Sequence, residues 1–372
     1  MAKTIAITPS WYWPAGVPRV VGVPPFRVDE LTVARWARRT PDSVALVCGA
    51  SRWTWRALSA EVISRTGAAR ERGRVDLGAA TSEEGAVELL VGLAAGVPVR
   101  VGGAGAERPA PSDAAGNGGG GGGGEQLNGG GALTRAAVAV PGATGTVWLS
   151  QRSLVAGGIS LGSFLGLQAA GGGAFVTALP LSTWQGIYGV VVPLLAGLSL
   201  VVTEPGPGSL ESARRESASW LYADLADALA WTHEAKREVK ALRGNLGASV
   251  LTVGGPFDSE HRRRVGRTLE CPALTVFGLP ETGPIFASHP SWYIDESVGI
   301  PVTNAHVVPA DPRTGTPLST LWELVESAMV TVAGPSLCVG ADMPLRWLAD
   351  GRLATGVVAS SDPNGMIYLV PS

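Results

Sequence analysis

The chain is 372 residues long, 45% hydrophobic, and carries 29 basic against 31 acidic side chains. That length suffices for two or three packed units, and the near balance of charge excludes a basic field for nucleic acid. Cys48, Cys271 and Cys338 are odd in number and far apart, which argues against a disulfide framework and for a reducing compartment.

Residues 1–25 are rich in proline and tryptophan and read as an extended N-terminal arm; Trp11 and Trp13 interrupt any signal-peptide run. Asp29-Glu30 then opens a helix over Leu31–Arg39, which ends before Pro41. Val44–Val47 is a short buried strand, and Thr54 is placed to cap a second helix bearing Leu58 and Val62. Thr81-Ser82-Glu83-Glu84 offers a capping box for a helix that Gly96 stops. Val99–Val101 is the next strand. Residues 103–133 hold seven consecutive glycines, Gly118–Gly124, and read as a flexible surface loop.

Ala137–Val140 is a strand that runs into Pro141-Gly142-Ala143-Thr144-Gly145-Thr146, either a phosphate-cradling loop or a plain strand-to-strand turn. Phe175–Leu181 reads as a strand, followed by Ser182, Thr183, Trp184, Gln185 and Tyr188 and an apolar core helix, Val190–Ala196. Gly186–Leu200 is apolar but too short for a membrane helix, so a cytoplasmic location is expected. Leu198–Val202 is a strand, Ser217–Val239 reads as a helix with a solvated charged face at Glu234–Lys240, and Val250–Val253 is a strand running into Gly254-Gly255-Pro256. Asp258 or Ser259 caps the next helix, on which His261 reads as solvated. Val276-Phe277-Gly278-Leu279-Pro280-Glu281-Thr282-Gly283-Pro284 reads as a strand end, a sharp turn and a carboxylate at the C-terminal edge of a sheet, where open α/β folds bind ligands. Strand-and-turn texture follows to the last residue.

Several of these segments, in this order, resemble the adenylate-forming superfamily: acyl-CoA synthetases, luciferases and nonribosomal adenylation domains. Phe277-Gly278-Leu279-Pro280-Glu281 resembles that family's Tyr-Gly-x-Thr-Glu; Leu179-Pro180-Leu181 its Leu-Pro-Leu-Phe-His; Val253-Gly254-Gly255 its Gly-Gly-Ala segment; Gly142–Ser153 its Ser-Gly-Thr-Thr-Gly-x-Pro-Lys-Gly loop with x-Pro-Lys missing. The resemblance implies two doubly wound, largely parallel α/β sheets with flanking helices and a small C-terminal β-barrel. It implies an AMP-binding-like core over 26–290 and the barrel over 291–372, with the family's C-terminal lid domain expected to be absent.

The departures fall on ATP contacts. Pro280 replaces the phosphate-binding Thr and Val357 the ribose-binding Asp, and the chain has only three lysines, Lys3, Lys236 and Lys240. ATP and Mg²⁺ binding are therefore expected to be lost, leaving no cofactor and no metal. Glu281 is the candidate catalytic acid or base. Ser182, Thr183, Trp184, Gln185, Tyr188, Gly254, Gly255, Gly278 and Thr282 are the candidate substrate-binding residues. The expected partner is a small acyl or aryl ligand, carried on CoA or a carrier protein, with a homodimer left open. Three functions remain: ATP-independent processing of an acyl or aryl thioester in a biosynthetic pathway of polyketide type, a non-catalytic pseudo-ligase partner, and a split ligase completed by a separate domain.

Overall fold

The computed structural model describes residues 13–77, 84–101, 133–143, 145–167, 173–234, 236–319, 322 and 324–371. The glycine loop expected at 103–133 and most of the capping box at 81–84 lie outside the described residues. The first helix is interrupted: α1 (Val28–Leu31) and α2 (Val33–Arg39) meet at Thr32, whose hydroxyl donates to the Val28 carbonyl at 2.7 Å. β1 (Val44–Cys48) and β2 (Ser51–Thr54) form a hairpin, and Thr54 caps α3 (Trp55–Arg72) by accepting from the Ala57 amide at 3.2 Å. β3 (Val75–Leu77), α4 (Gly85–Ala95) and β4 (Val99–Val101) follow; Gly96 ends α4 at φ +71°, a left-handed conformation suited to glycine.

β5 (Ala136–Gly142) and β6 (Gly145–Ser150) form an antiparallel hairpin leading into α5 (Gln151–Phe164). β7 (Ala174–Thr177) is shorter than the expected Phe175–Leu181, because Pro180 and the capping Thr183 turn the chain into α6 (Trp184–Ala196). After β8 (Ser199–Val202) and α7 (Gly208–Arg215) comes the clearest correction. Residues 217–239 are not one helix but β9 (Ala218–Asp224), α8 (Leu225–Glu234) and α9 (Lys236–Leu242). Trp220, Leu221, Tyr222 and Ala223 are all buried, and a strand covered on both faces has a continuous apolar run that periodicity cannot separate from helix.

β10 (Ala248–Thr252), α10 (Ser259–Leu269), β11 (Ala273–Leu279) and β12 (Gly283–Ala287) complete the central layers, with Asp258 capping α10 by accepting from the Glu260 amide at 2.8 Å. β13 (Ile300–Pro301), β14 (His306–Ala310), β15 (Ala328–Ala333), β16 (Gly340–Ala341), β17 (Leu353–Ser361) and β18 (Ile367–Leu369) finish the chain.

The strands make a nine-stranded sheet (β13-β12-β11-β10-β9-β7-β8-β1-β2), a five-stranded sheet (β16-β6-β5-β4-β3) and a four-stranded antiparallel sheet (β14-β15-β17-β18) that forms half a barrel. The centre of the large sheet, from β1 through β11, is parallel. Side-chain alternation divides its apolar residues between two cores. Phe175, Leu200, Trp220 and Tyr222 join the core that includes α5 and α6, while Val176, Val201, Leu221 and Ala223 join the core beneath α7, α8 and α10. Parallel strands bring their C-terminal ends to one edge, and the sequence-predicted residues lie along it. No helix of the described residues is long and apolar enough to cross a membrane.

Candidate functional site

The turn between β11 and β12 sets Glu281. Thr282 closes it: its hydroxyl oxygen accepts from the Leu279 amide at 3.2 Å and its O–H donates to the Gly283 carbonyl at 2.9 Å. Thr282 is fully buried, so its side chain holds the turn rather than facing a ligand. Gly278 is required by close approach. A Cβ there would lie 2.8 Å from the Trp184 ring and collide with the Gly283 carbonyl. The half-buried Glu281 is thereby carried to a junction of three segments. A Cβ on Gly142, at the tip of the β5–β6 hairpin, would be 3.3 Å from its Oε1, and its carbonyl accepts from the Cys338 amide at 2.8 Å. No cation pairs with the Glu281 carboxylate among the described residues. Of the lysines, Lys236 and Lys240 are exposed on α9, which packs on α7 and α10.

The residues at the start of α6 divide by task. Thr183 is its N-cap, accepting from the Gly186 amide at 3.1 Å and donating to the Pro180 carbonyl at 2.8 Å. Trp184 is buried edge-on to Tyr188, with ring centroids 5.9 Å apart. Tyr188 is a scaffold residue. It is fully buried, donates to the Ser153 carbonyl at 3.2 Å, and would meet a Cβ on Gly157 at 2.5 Å or on Gly283 at 2.7 Å. Burial pushes its phenol well above the usual tyrosine range. Ser182 and Gln185 are half-buried.

The opposite wall is open. Gly254 is exposed and Gly255 half-buried after β10, and a Cβ on either would meet nothing within 4 Å. Neither glycine is demanded by backbone conformation or by a neighbour. This leaves clear space beside the β11 edge, to which β10 is joined by the Val253 amide donating to the Val276 carbonyl at 3.1 Å.

Three features escaped the sequence. Cys338 is buried beside Glu281, and burial, followed by the charge of Glu281, pushes its thiol up to about 12. Tyr222 and Thr177, paired across β9 and β7, each bury a hydroxyl with no hydrogen-bond partner among the described residues beneath α6; only the cross-strand register brings them together. Asp342 follows β16 and accepts from the Thr146 amide at 3.0 Å, while its own amide donates to the Thr146 carbonyl at 2.9 Å. The described residues contain no cluster of three or more metal-ligating side chains.

A doubly wound scaffold whose strand edge gathers a glycine hairpin, a glycine turn and a carboxylate has the architecture of the large domain of the adenylate-forming superfamily. The profile of the AMP-binding enzyme family matches residues 142–338, just over half of the chain, opening and closing on the two residues that flank Glu281. The chain belongs to that family. Its fold is similar to that in a crystal structure of VinN, with 16% identity and TM-score 0.74, covering 93% of this chain and 99% of that one, and to that of VinN in complex with L-aspartate. It is also similar to a malonyl-CoA ligase holding methylmalonyl-CoA and AMP (18% identity, TM-score 0.69, 96% of this chain and 80% of that one). A third is the nonribosomal peptide synthetase FmoA3 with AMPPNP bound (19% identity, TM-score 0.73, 97% of this chain and 44% of that one). No curated protein sequence matches the chain.

Proposed function

We propose that this chain binds a small acyl or aryl group, as a thioester on CoA or a carrier protein, at the edge bounded by Gly254-Gly255, Ser182–Gln185 and Leu279–Glu281, and processes it without adenylating it by itself. Glu281 is the general acid or base, and Ser182 and Gln185 orient the ligand. The observation that carries this reading is the position of Glu281. It is a half-buried carboxylate facing the hairpin tip at Gly142, with no cation paired to it among the described residues. Joining a carboxylate to a nucleotide phosphate brings two anions together, and the site must supply positive charge to the transition state. The residues around the hairpin do not fit a nucleotide triphosphate. The hairpin pairs as far as Gly142–Gly145, the Thr146 amide is engaged by a carboxylate, and Val357, where the family resemblance puts a ribose-binding Asp, has no side-chain acceptor. The open space at Gly254-Gly255, and the acyl-CoA held by a malonyl-CoA ligase of similar fold, support an acyl ligand.

The test has two arms. ATP–pyrophosphate exchange is expected to be absent with a panel of carboxylic acids; exchange above background overturns ATP independence. Complementation of a deletion strain with wild type and Glu281→Gln, read as product by mass spectrometry, is expected to fail for the variant. Full product from Glu281→Gln would remove the catalytic role and leave a scaffold that binds a partner.

A further inference from the structure

A slot lies under the N-terminal arm, apart from the Glu281 edge. It holds about 210 Å³ and is lined by Gly22 of the arm, Leu31 and Arg35 of the α1–α2 pair, Gly162 of α5, and Val192 and Leu195 of α6, among others. The α6 wall is the far end of that helix. Its first residue, Trp184, meets Gly278, and Val192 lies about 12 Å further along the axis. The arm is anchored beside the slot by the 302–305 loop. The Val21 amide donates to Asn304 Oδ1 at 2.8 Å, the Asn304 amide to the Arg19 carbonyl at 2.9 Å, and the Thr303 hydroxyl to the Pro18 carbonyl at 2.9 Å. No neighbour takes up the space at the two glycines: a Cβ on Gly22 would meet nothing within 4 Å, and one on Gly162 would meet only Val192 Cγ1, at 3.8 Å. Protein interiors leave few voids larger than a water molecule, and an apolar cavity of roughly 150 Å³ is enough to hold benzene.

One charge lines this apolar space. Arg35 is half-buried, lies 5.0 Å over the Trp36 ring, and pairs with no carboxylate among the described residues. Arg39 lies over the same ring at 5.7 Å; burial, followed by that like charge, lowers the Arg35 pKa from the usual arginine range. A partly desolvated guanidinium with a cation for a neighbour gains from a carboxylate, which it can hold through two parallel N–H groups. We propose that the slot is a second ligand site, for the anion of a small aryl or short alkyl acid: the carboxylate pairs with Arg35, and the ring or tail fills the space between Gly22 and Gly162. The site does not depend on the activity proposed for Glu281.

Phenylacetate is the probe, with phenylacetamide as its uncharged counterpart and acetate as the headgroup without a ring. Binding is followed by ligand-observed NMR titration of the whole chain, with thermal melting as the control for folding. Wild type is expected to bind phenylacetate at millimolar concentration, to bind phenylacetamide about tenfold more weakly, and to give no signal with acetate. Arg35→Gln is expected to lose about tenfold for phenylacetate and nothing for phenylacetamide. Gly162→Leu, which fills the slot, is expected to lose both, and Glu281→Gln to bind phenylacetate as wild type does. Equal affinity of wild type and Arg35→Gln for phenylacetate overturns the inference, as does absence of binding by wild type. Binding that survives Arg35→Gln and is lost in Glu281→Gln would put the probe at the strand edge instead. The Arg35→Gln comparison decides whether or not Gly162→Leu folds. Pyrophosphate exchange by wild type would remove the reading of the Glu281 edge and leave this one standing.

Discussion

Two charged side chains lie on neighbouring elements and have opposite surroundings. Arg262, on α10, is fully buried, yet its guanidinium donates to five oxygens: the carbonyls of Ala273 (2.6 Å), Ile294 (2.9 Å), Asp295 (3.3 Å) and Ser297 (3.0 Å), and the Ser288 hydroxyl (3.0 Å). It also lies 4.4 Å over the Tyr293 ring. Burial brings it down to about 10, still charged at neutral pH. Glu281, at the end of β11, is only half-buried and has no cation beside it among the described residues. The contrast separates scaffold from site. A charge deep inside is tolerated where every donor is satisfied, and Arg262 ties the segment after β12 to α10. A carboxylate left without a cation at a strand edge has no such structural task.

Substitutions should sharpen that contrast. The largest effect is expected at Arg262: Arg262→Leu strands several buried acceptors and should lose about 3 kcal/mol or more in urea unfolding. A loss below about 1 kcal/mol would mean the clasp is not what holds the 288–297 segment. Tyr222→Phe should act in the other direction, raising stability by about 1 kcal/mol, because it deletes a buried hydroxyl that has no partner among the described residues. A lower melting temperature would show that this hydroxyl is bonded in solution.

Glu281→Gln should change stability by less than about 0.5 kcal/mol, as expected for a residue outside the core. A clear loss in the melt would place Glu281 with Arg262 as scaffold. The smallest effect concerns His289, half-buried and edge-on to Phe164, whose centroid is 5.6 Å away. Burial lowers its pKa below 6.5, so the fold favours the neutral ring. Above about 6.5 both states are neutral and the full stability is present. Below it the unfolded chain takes up the proton first, and stability falls as pH drops. His289→Asn should remove that component, read as a shallower slope of melting temperature against pH between wild type and variant.

Most of the architecture was legible because it rests on local rules. Thr54, Asp258 and Gly96 each cap or stop a helix by chemistry carried in the residue itself. The ends of β10, just before Gly254-Gly255, and of β11, at Leu279-Pro280, were legible from turn residues that follow apolar runs. β9 was not, since Trp220–Ala223 are buried on both faces and the apolar spacing of α8 continues directly from them. Arg262 was unreadable for a related reason. It stands among Arg263, Arg264 and Arg267 on a helix whose polar composition reads as solvated, and only the docking of residues 288–297 shows which arginine turns inward. At the site, residue type named Thr282, Thr183 and Tyr188 as ligand contacts, whereas their hydrogen bonds assign them to a turn, a cap and the core.

The sequence by itself determined the family, the order of strands and helices along the site, the place of Glu281 at a strand's end and the scarcity of lysine. Those follow from residue identity and short spacing, which folding does not alter. Only the tertiary structure decided what surrounds Glu281. Gly142, Cys338 and Asp342 reach it, or the hairpin it faces, from distant parts of the chain, through a hairpin and a two-residue strand whose register no local pattern specifies. The electrostatic character of the edge is a sum over those meetings, and charges interact through space rather than along the chain.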